Sequence, residues 1–188
     1  MRVRHLKASR NDGSVVKTYN VTATLKIAKP DIEKIAKQFK GCVYDPQSSP
    51  SADIYTGRCL FRIFSTGAIS CFGPSRDTIY KSVSSLFQSL RDLGFEVPEK
   101  PTINFESQAS VVRLGKKLKL WKALYLLKNA EFSSKGPRLL VYRFEKPKVT
   151  MQLFEDGVII CLGARNDQES RRAHARIMRI IDDYGLTV

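Results

Sequence analysis

Few side chains in this 188-residue chain are suited to covalent or metal chemistry. The four cysteines, Cys42, Cys59, Cys71 and Cys161, never form a C-x-x-C pair, and the histidines are His5 and His174. Zinc sites draw on closely paired ligands of these types, so no metal site and no cofactor are expected. Reduced, buried structural thiols in an intracellular protein are the expectation instead. Asp31 and Glu33 follow Pro30 and read as first-turn acids of a helix rather than a general acid and base. No carboxylate pair, Cys-His set, Ser-His set or phosphate loop has a defensible spacing, so no catalytic residue is assigned and no enzyme is expected. What remains is charge. With 32 Lys and Arg against 18 Asp and Glu, the net charge is +14, which suits a polyanionic partner. Residues 1–18 read as a basic arm carrying Arg2, Arg4, Lys7, Arg10 and Lys17. No apolar run approaches the roughly 18 residues of a membrane span, and the N-terminus has no apolar leader core, so neither a signal peptide nor a membrane partner is expected.

The elements that must carry this charge are duplicated. Phe64-Ser65-Thr66-Gly67-Ala68-Ile69-Ser70-Cys71-Phe72-Gly73 returns as Phe154-Glu155-Asp156-Gly157-Val158-Ile159-Ile160-Cys161-Leu162-Gly163, 90 positions later (154 − 64 = 90). Asp92-Leu93-Gly94-Phe95 returns as Asp183-Tyr184-Gly185-Leu186. Two copies of one unit explain both matches. Each copy opens with an alternating strand, 19–26 and 108–114. A helix follows, 31–40 and 119–129. Strands come next, 54–55, 59–64 and 68–72 against 138–144, 149–154 and 158–162. Gly67 and Gly157 supply the left-handed position of a hairpin turn. A long amphipathic helix closes each copy, with stripes Ile79, Val83, Leu86, Phe87, Leu90, Leu93 and Ala173, Ile177, Ile180, Ile181, Tyr184. The only convincing linker is Val97–Pro101, which divides the chain into an arm (1–18), a first repeat (19–97) and a second (98–188). The fold class is α+β: antiparallel strands with helices on one side, in two pseudo-symmetric halves. The sheet face without helices is then available for binding.

In order and spacing these segments resemble the TATA-box-binding protein (TBP) family, from about Tyr19 to Gly185. Asn20-Val21-Thr22-Ala23-Thr24 is similar to the family's opening strand, Asp31-Ile32 with Ile35-Ala36 to its first helix, and Tyr44-Asp45-Pro46 to its Tyr-Asn-Pro turn. In the second repeat the matching segments are Leu114-Gly115, Leu118, Leu120, Asn129-Ala130-Glu131-Phe132, Val141-Tyr142-Arg143, Lys146-Pro147-Lys148 and Gly163-Ala164-Arg165. The resemblance implies a saddle-shaped fold with a curved antiparallel sheet and helices on the convex side. It also implies a transcription initiation factor that binds double-stranded, AT-rich promoter DNA in the minor groove and bends it, with a transcription factor IIB-like protein among its partners. The family's insertion of phenylalanines between base steps is a standard example of minor-groove wedging. By resemblance, Phe64 and Phe154 match one wedge in each repeat, Asn20 the base-reading asparagine, and Arg143 and Arg165 backbone-binding positions. The implied location is the nucleus in a eukaryote, and otherwise an archaeal nucleoid or a viral transcription site.

The chain departs from that family at named positions. The other wedge of the first repeat falls near Ser48–Ser51 and that of the second on Pro137. The second asparagine aligns with Ser107. Leucines two residues before the retained wedges become Arg62 and Gln152, and central threonines become Phe72 and Leu162. Phe72 and Leu162 are therefore included among the DNA-facing residues. The family's Glu-rich loop reads Ser133-Ser134-Lys135-Gly136-Pro137-Arg138, with its charge reversed. These features describe a divergent TBP or TBP-related factor. An adaptor that binds transcription proteins, with weak or sequence-nonspecific DNA binding, is the alternative reading.

Overall fold

A computed structural model describes residues 15–134, 136 and 138–188. Most of the expected arm, residues 1–14, lies outside the described residues, as do Lys135 and Pro137. The chain forms two compact units, Thr18–Ala109 and Ser110–Val188, the latter grouped with the chain start. The division falls inside a strand, whereas the sequence pattern places a linker at Val97–Pro101.

The first unit is built from β1 (Lys17–Lys26), α1 (Ile32–Gln38), β2 (Val43–Tyr44), β3 (Ser51–Thr56), β4 (Cys59–Phe64), β5 (Ala68–Gly73) and α2 (Arg76–Asp92). Its strands run in the order β2-β3-β4-β5-β1, followed by the first half of β6 (Asn104–Arg113). The second unit contains the rest of β6, then α3 (Leu120–Leu126), β7 (Ala130–Phe132), β8 (Leu139–Phe144), β9 (Val149–Phe154), β10 (Val158–Ala164) and α4 (Asp167–Asp183). Here the order is β6-β10-β9-β8-β7. The ladders of the two units keep the 90-residue offset of the sequence. Leu60 pairs with Phe72 in the first, and Thr150 pairs with Leu162 in the second.

Alternation sorts each strand into two faces. In the first unit Val21, Ala23 and Leu25 of β1, Phe61 and Ile63 of β4, and Ile69 and Cys71 of β5 are buried. They join Ile79, Val83, Leu86, Phe87 and Leu90 of α2 in one core. The second core joins Met151, Leu153, Ile159 and Cys161 to Ala173, Ile177 and Ile181 of α4. Burying each large apolar side chain contributes roughly 1.5–3 kcal/mol, so these helices are held by their apolar stripes. Their starts are capped: Ser75 accepts from the Thr78 N–H and Asn166 from the Glu169 N–H. Asp31 caps α1 in the same way.

Both hairpin turns require glycine. Gly67 and Gly157 have φ of 85° and 84°, and a Cβ would run into the Ile27 carbonyl oxygen at the first and the Lys116 carbonyl oxygen at the second. Where the fold differs from the sequence pattern, the causes are local. The first helices of the repeats are shorter than expected, 32–38 and 120–126, and β1 and β6 begin earlier. The short strands β2 and β7 carry no alternation to detect; they exist because β3 and β8 offer them partners. Tyr184, expected in the α4 stripe, is the exposed C-cap residue, and Leu186 fills that part of the core. Cys42 is half-buried, whereas Cys59, Cys71 and Cys161 are buried. Burial pushes the thiol of Cys71 up to about 12 and that of Cys161 up to about 11, which keeps both protonated and unreactive.

Candidate nucleic-acid interface

Strand pairing lays out the helix-free face of the first unit in rows. One row runs Tyr55, Leu60, Phe72, Thr22, and the next runs Asp53, Arg62, Ser70, Thr24. Phe64 lies beyond Arg62 on the same strand face and pairs with Ser51. Phe64 and Phe72 are half-buried, and each alternates with residues turned into the core. In the second unit one row runs Leu162, Thr150, Arg143 and the next Ile160, Gln152, Val141, Glu131. Phe154 pairs with Leu139 and, like Leu162, is half-buried. Apolar side chains that water reaches therefore recur at matched positions in both units.

Both faces also hold acids, and sequence reasoning missed these. Asp53 accepts two bonds from Arg62, from Nε at 2.8 Å and from Nη2 at 2.7 Å. This side-on fork holds the Asp53 carboxyl below the usual carboxylate range, because the bonds from Arg62 favour its charged form. It leaves Nη1 of Arg62 as an uncommitted donor. Glu106 accepts from the Thr24 hydroxyl at 2.7 Å. In the second unit, Nη1 of Arg143 is 2.6 Å from Oε1 of Glu131. Arg143, expected at a phosphate, is thus already paired. The only sequence signal was the acid count near the strands, because β7, which carries Glu131, has no readable pattern of its own.

Three concavities adjoin these rows, one of them about 450 Å³ beside Thr24, Lys26 and Ala68. Another of about 320 Å³ is lined by Asn20, Tyr19, Tyr55, Leu60 and Phe72. A third, about 700 Å³, is lined by Arg143, Lys148, Thr150, Leu162 and Gly163, with Asn129. Asn20 is half-buried on β1 and Arg165 is exposed between β10 and α4, where its backbone N–H donates to Glu169 at 3.0 Å. The β3–β4 turn has two residues, Gly57 and Arg58, whereas β8 and β9 are joined by four, 145–148. With that difference, Arg143 is the counterpart of Tyr55 and Gln152 the counterpart of Arg62 (143 − 55 = 88; 152 − 62 = 90). Across the helix-free face, the two repeats match in shape and differ in charge.

A buried polar cluster lies on the helix side of the second unit. Ser110 of β6 bonds to Ser170 of α4, and its Oγ is 3.0 Å from His174 Nε2. Burial pushes His174 down to about 4. It is inaccessible from the helix-free face and belongs to the core.

Comparison with known proteins agrees with this geometry. A profile of the family described as "Transcription factor TFIID (or TATA-binding protein, TBP)" matches residues 15–93 and again 102–184. The chain is 31% identical to the TATA-box-binding protein of Haloarcula marismortui, over 89% of this chain and 93% of that protein. It is 28% identical to that of Pyrobaculum islandicum, over 93% of this chain and 89% of the relative. The solved structure of Methanococcus jannaschii TBP superposes with a TM-score of 0.81, covering 89% of this chain and 98% of that one at 24% identity. With the duplicated α+β unit present in full and both of its copies matched, this chain belongs to the TATA-binding protein family.

Proposed function

We propose that the protein is a TBP-like transcription initiation factor that binds double-stranded promoter DNA in the minor groove through the helix-free sheet faces of its two repeats. The observation that carries this reading is the matched pair of uncovered faces, with Phe64 and Phe72 in one repeat and Phe154 and Leu162 in the other, in a chain of net charge +14. A rigid apolar ring can replace base stacking in an opened step. Phe64 and Phe154 are the wedges in this reading, and Asn20 reads base edges. Arg143, Arg165 and Lys148 hold phosphates, which for Arg143 requires exchanging Glu131 for the backbone. The protein works by binding and bending, not by catalysis, at the DNA inside the cell. Other transcription factors are its protein partners. The basic segment 133–138 disfavours a partner that seeks an acidic loop and favours one with acids of its own.

The test is binding to a TATA-containing duplex and to a GC-rich scramble, each at two salt concentrations, with bend angle measured on both. Tighter binding and bending of the TATA duplex are expected. Equal, steeply salt-dependent binding to both would reduce the function to backbone attraction, and no binding to either would overturn it.

A further inference from the structure

The ion pair on the helix-free face of the first unit has a geometry more specific than charge neutralisation requires. Asp53 of β3 and Arg62 of β4 stand directly opposite each other in the register. Nε of Arg62 donates to Oδ1 of Asp53 at 2.8 Å and Nη2 donates to Oδ2 at 2.7 Å. The carboxylate thus takes two of the five guanidinium N–H donors and fixes the plane of the group. Three donors remain outside the fork (5 − 2 = 3), two on Nη1 and one on Nη2. The Arg62 side chain is 45% exposed and that of Asp53 only 22%, so a ligand at this face meets the donors before the acid. A pair this exposed contributes little to stability.

Arg62 lies between apolar contact positions. Phe64 is two residues further along the same strand face, and Leu60, paired with Phe72, is two residues back. Its own row continues through the hydroxyls of Ser70 and Thr24, and the Thr24 hydroxyl is committed to Glu106 at 2.7 Å. In the second unit the matching positions are Val141 and Gln152, which cannot form such a pair. The floor of the minor groove presents acceptors at every base pair, and the N2 amine of guanine is its one donor. A guanidinium clamped by a carboxylate is a fixed donor without net charge. It gains little from a phosphate, whose attraction acts on net positive charge. It can bond the acceptors of an A·T pair, and at a G·C pair it sets donor against donor.

Resting on the minor-groove reading above, the geometry points to Arg62 as a base-reading residue that selects A·T over G·C at one position of the bound site. Asp53 is its positioning residue. The probe is a set of TATA duplexes in which single A·T pairs are replaced in turn by G·C or by inosine·C, which lacks the N2 amine. At one position the protein should lose about tenfold in affinity with G·C and little with inosine·C. Asp53→Ala combined with Arg62→Ala removes one charge of each sign. In that double variant the penalty at this position should largely disappear, while the penalties elsewhere and the slope of log affinity against log salt stay as in the unmodified protein. Asp53→Asn keeps the guanidinium but loosens its clamp, and should also lose the discrimination. Circular dichroism would establish that both variants are folded. A double variant that keeps the original penalty at every position would overturn the proposal. So would a salt slope shallower by about one unit in the double variant, because Arg62 would then be a phosphate ligand. Failure of the minor-groove reading gives a different result: the unmodified protein would show no A·T preference at any position.

Discussion

At the level of single residues, the helix-free face sets apolar contact against charge already satisfied. Phe72 lies between Leu60 and Thr22 and offers no donor to a base edge. Replacing Phe72 and Leu162 with Thr together restores hydroxyls and removes several ångströms of projection. The expected result is a rise in the ratio of TATA to GC-rich affinity, with bend angle followed on the same duplexes; an unchanged ratio would show that neither residue limits selectivity. The paired arginines lead to a second expectation. Asp53 neutralises Arg62 and Glu131 neutralises Arg143. Asp53→Asn and Glu131→Gln each free a cation on the proposed binding face. Each should steepen the slope of log affinity against log salt by about one unit. Titrations at several salt concentrations measure this directly, and a slope unchanged in both variants would place these arginines away from the phosphates. Lowering the pH acts in the same direction. The Asp53 carboxylate is favoured above its lowered native value, and as pH falls through that value the pair with Arg62 is lost.

At the level of elements, much of the fold was legible because the same pattern occurs twice. The Phe64–Gly73 and Phe154–Gly163 segments marked both central hairpins, and the stripes of α2 and α4 identified the covered side of each sheet. What could not be read was set by partners distant in sequence. Val43 and Tyr44 form a strand only because Asp53 and Ala52 stand opposite, and Glu131 meets Arg143 only through the β7–β8 register. His174 also escaped the pattern, since a histidine beside Ala173 reads as polar surface until Ser110 and Ser170 are seen to enclose it. The candidate face was legible as a face, and Phe64, Phe72, Phe154 and Leu162 could be counted onto it by alternation. Its internal ion pairs could not. The two hairpin glycines provide the test at this scale. Gly67→Ala or Gly157→Ala forces a side chain into left-handed backbone and against a carbonyl oxygen. Each should cost about 1–3 kcal/mol in chemical denaturation. A neutral result at either would mean the adjoining loop relaxes freely.

For the molecule as a whole, acid should act unequally on the two units. His174 is buried in the unit Ser110–Val188, and no histidine occurs from Thr18 to Ala109. Its native value is pushed down to about 4 from an ordinary 6.5, so between these limits the unfolded chain binds the proton and the folded one does not. Stability from this group is therefore fully present above pH 6.5. It declines as pH falls, by up to about 1.4 kcal/mol per pH unit. Hydrogen exchange at pH 7 and pH 5 should show amides of β9, β10 and α4 losing protection more than those of β4, β5 and α2. Equal losses would mean that His174 is not the determinant.

The unequal charges on two otherwise matched repeats also bear on direction. A clamp with two identical halves fits a duplex equally well after being turned end for end, and so cannot tell upstream from downstream. In this chain Tyr55 faces Arg143 in the comparison of repeats, Arg62 faces Gln152, and a two-residue turn faces a four-residue one. A difference of about 1.4 kcal/mol between the two ways round suffices for a tenfold bias in orientation. The two repeats are therefore not equivalent as binding faces. If it binds a promoter as proposed, that asymmetry lets it point the transcription machinery along one strand rather than the other.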